Sequence, residues 1–66
     1  MNRKFYYDTI TQLEKMGASD EYVQGWEGAY MNNPMREETR LTPAYEAGYN
    51  DAKAGNTANA SAHLKG

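Results

Sequence analysis

The chain predicts an all-α fold, a small three-helix domain, and two observations carry that expectation. Part of the sequence is written twice. Ser19 to Ala29 aligns without gaps on Thr42 to Ala52 at an offset of 23 residues. Each copy opens with Ser or Thr, then places Tyr, Gly, an aromatic residue and Ala at matching positions (Tyr22, Gly25, Trp26, Ala29; Tyr45, Gly48, Tyr49, Ala52). The second observation is a set of start and stop signals that bracket three helix-length segments. The second and third helices, which carry the repeated Tyr-x-x-Gly-aromatic motif, are expected to form an antiparallel hairpin, with the first packed across their aromatic faces.

The first helix is expected over about 3–16. Asn2 is suited to the N-cap, and Gly17 after Lys15 is a stop signal. At roughly 100° per residue, Tyr6, Ile10, Leu13 and Met16 share a stripe with Phe5 at its edge. The second helix, about 20–32, opens at Ser19 with Asp20 and Glu21 in its first turn, where negative charge favours the dipole. Asn32-Asn33-Pro34 ends it, because the residue before proline is pushed out of the α region. The third, about 43–55, starts at Thr42 with Pro43 in the first position and stops at Gly55-Asn56. Gly25 and Gly48 each cost roughly 1 kcal/mol inside a helix. With Ala29 and Ala52 four residues on, they make two smooth strips suited to close backbone approach. Met31 to Leu41 reads as the connecting loop with Met35 and Leu41 tucked beneath it. Residues 1–56 thus form one domain, and 57–66 read as a polar, flexible tail.

Sixty-six residues bury only about 60% of their unfolded surface. Leu, Ile, Val and Phe number six in all, but six Tyr and Trp26 add large buriable rings, and the net charge is only −2. A fold that gains from self-association or a partner is expected, and the Phe5/Tyr6/Ile10/Leu13/Met16 stripe is the surface a homodimer would bury. There is no cysteine, hence no disulfide and no thiolate site. No apolar run approaches the ~20 residues of a membrane span. The opening Met1-Asn2-Arg3-Lys4 leads into no signal-peptide core. These features point to a cytoplasmic protein with no membrane partner.

The chemistry of catalysis is missing from the pattern. His63 is the single histidine, and it falls in the tail. Glu37-Glu38 lacks the alternating ligands of a calcium loop. Ser19 and Ser61 have no nucleophile-elbow context, and Gly25-Trp26-Glu27-Gly28 is mid-helix with no Lys-Ser/Thr after it. No catalytic, cofactor or metal residue is assigned, and a non-enzyme is expected. From Ser19 to Gly55 seven acids face three bases, the wrong sign for direct nucleic-acid binding. What remains is surface. Tyr7 lies off the first helix's stripe, and Tyr30 and Met31 lie at the edge or end of the second. Tyr and Met are residue types that interfaces favour. Trp26, Tyr30, Glu37 and Glu38 are the expected partner contacts, with a protein as the expected partner.

Tyr22, Gly25, Trp26, Gly28, Ala29, Pro34, Tyr45, Gly48, Tyr49 and Ala52 follow a Tyr-x-x-Gly-aromatic helix, a Pro-containing linker and a second aromatic-x-x-Gly helix. In this the segment from Tyr22 to Gly55 resembles the small proteins grouped with ribosome modulation factor, including the plasmid-borne CrpP-type proteins. The resemblance covers about half of the chain and implies a helical pair. It also implies ribosome association, in which Arg3, Lys4, Arg36 and Arg40 would meet phosphates, or the antibiotic modification attributed to CrpP-type proteins. Three departures stand out: the repeated core is acidic, Asn33 stands before Pro34 where a linker cysteine is usual, and a helix is added in front. Short proteins of this look occur in phages and mobile elements, which by analogy implies an inhibitor of a host protein.

Overall fold

The computed structural model describes residues 2–65; Met1 and Gly66 lie outside them. Three helices form, α1 (Arg3–Met16), α2 (Asp20–Tyr30) and α3 (Pro43–Ala54). Short 3-10 turns follow at Glu38–Arg40 and Ala60–Ala62. Each helix starts as the sequence predicts. The side chains of Asn2, Ser19 and Thr42 accept from the amides of Phe5, Tyr22 and Tyr45 at 3.0, 3.2 and 3.1 Å. Gly17 and Gly55 end α1 and α3 in the left-handed region, at φ 79° and 78°, where a side chain would be strained. α2 stops at Tyr30, two residues before the expected end. Asn32 turns to φ 62°, and the amides of Asn32 and Asn33 fold back on the carbonyls of Ala29 and Gly28.

The pairing of α2 with α3 dominates the molecule, and it is a backbone contact. A Cβ on Gly25 would run into the Tyr45 carbonyl and come within 3.0 Å of the Tyr49 nitrogen. A Cβ on Gly48 would meet the Tyr22 carbonyl and the Trp26 nitrogen in the same way. The two contacts are mirror uses of equivalent repeat positions, so an approximate two-fold relates the helices. In each, a glycine hydrogen faces a carbonyl of the opposite helix, the setting of a weak Cα–H···O contact.

The sense of the pair differs from the antiparallel arrangement expected. Glu21, in the first turn of α2, accepts from the hydroxyl of Thr42, the N-cap of α3, at 3.0 Å. At the other end Ala29 and Tyr30 line one cleft with Ala52 and Lys53. Amino ends therefore lie beside amino ends. A connection of residues 31–42 is long enough to run back along α2, about 16 Å of helix, so nothing forces an immediate reversal.

α1 lies against α2 through rings. Tyr6 stacks on Tyr30 with centroids 5.6 Å apart, and Phe5 tilts against Trp26 and Tyr30 at 6.0 and 5.8 Å. Tyr6 and Leu13 are buried within the chain itself, while Phe5 and Met16 stay partly exposed. Of the stripe assigned to a homodimer, Tyr6 and Leu13 are thus used inside the chain, and Phe5 and Met16 keep part of their surface free.

The stretch expected as a flexible tail is packed through Lys65. Ala60 is completely buried. The Ser19 amide donates to the His63 carbonyl and the Lys65 amide to the Gly17 carbonyl, both at 2.7 Å. Ala18 and Leu64 form an antiparallel bridge. The small side chain of Ala60 lets the chain lie close to the helices there.

Gly25→Ala and Gly48→Ala should each lower stability by about 1–3 kcal/mol or more through backbone collision. Gly28→Ala is the control, since its Cβ would meet only the Tyr45 hydroxyl at 3.8 Å; it should be neutral or gain up to about 1 kcal/mol of helix propensity. Urea midpoints for the three variants check this. Equal midpoints for all three would show that no close approach exists.

Candidate functional site

The four expected contact residues do not form one surface. Trp26 is fully buried: its ring stacks on Tyr30 at 5.1 Å and 12°, and its indole N–H donates to the Asn56 carbonyl at 2.9 Å. A side chain so enclosed presents nothing to a partner, and its assignment as a contact is corrected. It was legible as a large ring at a repeat position, but in a core with few aliphatics that ring fills the interior. Tyr30 is half-buried, and its hydroxyl donates to the Asn2 carbonyl at 3.2 Å. Glu37 and Glu38 are exposed on the connection between α2 and α3 and join no ion pair among the described residues.

That connection is held by its arginine. Arg36 forks onto Glu21 at 2.6 and 3.0 Å, donates to Gln24, and lies over the Tyr45 ring 4.1 Å from its centroid. This two-pronged pairing, with the Thr42 hydroxyl, holds the Glu21 carboxyl below its ordinary value. Arg36 is therefore turned onto the helical pair, with three of its five N–H donors engaged there. Lys4 is likewise paired, with Asp8 at 2.8 Å. Met31 and Met35 remain 45% and 36% exposed beside the glutamates in sequence. Met35 was expected under the loop; the Arg36 clamp takes that inner position, and Leu41 packs against the core as expected.

A second constellation was missed from sequence. Asp51 is buried, and its carboxylate accepts from the Tyr22 hydroxyl at 2.6 Å and from the Asn59 amide and side chain, both at 2.8 Å. His63, expected as a solvated residue, lies flat over Tyr22 with centroids 6.3 Å apart. Burial alone would push the Asp51 carboxyl up, but the hydrogen bonds from Tyr22 and Asn59 outweigh it and leave it below the ordinary value. Burial and the neighbouring carboxylate push the Tyr22 hydroxyl well up. A carboxylate saturated by three donors ties segments together. The signal was in the repeat: Asp51 is where the second copy sets a charge against a glycine, Gly28, in the first.

Among the described residues, no group of three or more His, Asp or Glu is placed to hold a metal, and no helix is long and apolar enough to cross a membrane. Comparison with family models, with curated proteins and with solved structures gives no match to this chain.

Acid titration reads the Asp51 cluster. Its folded value lies below the ordinary 3.8, so its stabilisation is present above that pH and is lost as pH falls through the folded value. Glu21 acts in the same direction from 4.5 downward. Tyr22 is raised from 10.0, so stability should also fall as pH rises above that value. Asp51→Asn should shrink the acid-side loss, leaving the Glu21 part, when urea midpoints are compared between pH 6 and pH 3. An unchanged acid profile would contradict the assignment.

Proposed function

We propose that this protein is a small non-catalytic binding protein that docks on a larger macromolecular partner through the connection between α2 and α3. The observation that carries the reading is the division of charge on that connection. Arg36 is neutralised on Glu21 while Glu37 and Glu38 face solvent, on the same connection as the part-exposed Met31 and Met35. Acidic side chains steer association toward basic patches, and methionine supplies adaptable apolar contact. The partner that fits is a protein with a basic surface, such as a nucleic-acid-binding groove that this chain would occupy as an inhibitor of the phage or mobile-element kind. Tyr30 packs against Phe5 and Tyr6 of α1, and catalysis forms no part of the reading.

Ribosome association, as in the ribosome modulation factors the helical pair resembles, is the second reading. Arg3 and Arg40 support it, both exposed and in no ion pair among the described residues. Antibiotic modification of the CrpP type has weaker support, because the saturated Asp51 carboxylate offers no free base.

Affinity capture with mass spectrometry, repeated with the Glu37→Lys/Glu38→Lys variant, tests the proposal. One stoichiometric protein should be retained by the native chain and lost, by tenfold or more (~1.4 kcal/mol), with the variant, whose melting temperature should be unchanged. Salt-sensitive recovery of ribosomal proteins and RNA would favour the second reading. Turnover of a nucleotide or drug substrate by the purified protein would reject the binding reading.

A further inference from the structure

The segment after α3 is held at two ends and by little in between. Near its start, Asn59 gives its amide and its side chain to Asp51. At its far end the His63 carbonyl takes the Ser19 amide, and the Lys65 amide reaches the Gly17 carbonyl. Between these, Ala60 is the one buried residue; Leu64 is 48% exposed, and Ala58, Ser61 and Ala62 face solvent. Gly55, at φ 78°, ends α3 where the chain turns, and the Asn56 amide stays on the Asp51 carbonyl as part of that helix end. Release of the residues beyond Asn56 therefore costs polar contacts, the Ala60 methyl and the His63–Tyr22 ring contact, and breaks no hydrogen bond within α1, α2 or α3. Segments with so little apolar burial open at lower free energy than the core they cover.

We infer that residues 57–65 are a strap that opens as a unit about Gly55-Asn56 while α1, α2 and α3 stay folded. Opening uncovers the Tyr22 ring beneath His63, and frees the Gly17 carbonyl and the Ser19 N–H. These two backbone groups flank Ala18 and accept an extended chain at rest through the Ala18–Leu64 bridge. Asp51 is the latch. It holds Tyr22 on α2 and Asn59 on the strap at once, so the strap closes over a surface that its own catch helps to order.

Amide hydrogen exchange followed by NMR on the full chain tests this. In the native protein the Ser19 and Lys65 amides should exchange at one common opening rate, faster than the Tyr49 and Ala52 amides of α3. Asn59→Ala lies outside α1, α2 and α3 and removes the side-chain bond to Asp51, leaving the one from the backbone amide. It should speed exchange at Ser19 and Lys65 about tenfold or more, the scale of a lost bond to a charged group, with Tyr49 and Ala52 unchanged. The strap is overturned if Ser19 and Lys65 are as slow as Tyr49 and Ala52 in the native chain, or if no amide responds to Asn59→Ala. It is equally overturned if all four amides speed up together or the variant loses its helices, because strap and core would then be one cooperative unit.

Discussion

The structure rests on the contact between two helix backbones. Gly25 and Gly48 each remove a Cβ that would occupy the space of the opposite carbonyl, and that absence lets α2 and α3 approach closely. A chain of this length with six Leu, Ile, Val and Phe residues in all cannot hold its helices apart and fill the gap with aliphatic side chains. Bringing the backbones together abolishes the gap. The tyrosines and Trp26 then pack beside the seam, where their rings bury large area per residue. The cost of two mid-helix glycines is offset by the dispersion contacts that close approach permits.

Equivalent positions of the repeat serve both sides of this seam, and the fold is finished where the equivalence fails. Tyr22 points its hydroxyl at Asp51; Tyr45 points its own toward Gly28. The buried charge thus exists on one side only, and on that side the chain after α3 returns to satisfy it through Asn59. On the other side Arg36 does the comparable tying, from Glu21 and Gln24 to the Tyr45 ring. One break in the symmetry secures the C-terminal strap, and the other secures the connection and leaves Glu37 and Glu38 outside.

The all-α class, the three helices and their caps were legible because they depend on local chemistry: an oxygen-bearing side chain before the first turn, a glycine after the last. The close approach at Gly25 and Gly48 was legible because the same cost appears twice at the same repeat position. The sense of the pair was not, since the contact is symmetrical and equal glycines report nothing about direction. The strap escaped notice for a different reason. Its grip comes from main-chain groups of Gly17, Ser19, His63 and Lys65, which carry no side-chain signature. Trp26 was misplaced at the surface because ring size and interface preference coincide with what this core needs. Glu37 and Glu38 are where sequence put them, in solvent, and the Arg36 clamp that positions their loop required the folded chain to be seen.

Function follows from what this economy leaves over. With the rings spent on the interior and Arg36 spent on the loop, the connection offers acid and methionine, and the strap offers a cover that can leave. Both depend on α2 and α3 meeting at their glycines with amino ends together. The most direct measurement is a NOESY spectrum of the native protein in solution. Cross-peaks are predicted from the Gly25 Hα to the Tyr49 amide and from the Gly48 Hα to the Trp26 amide, together with contacts between the side chains of Glu21 and Thr42. Contacts joining Thr42 to Tyr30, with the glycine cross-peaks absent, would show an antiparallel pair held apart by side chains and would contradict the account.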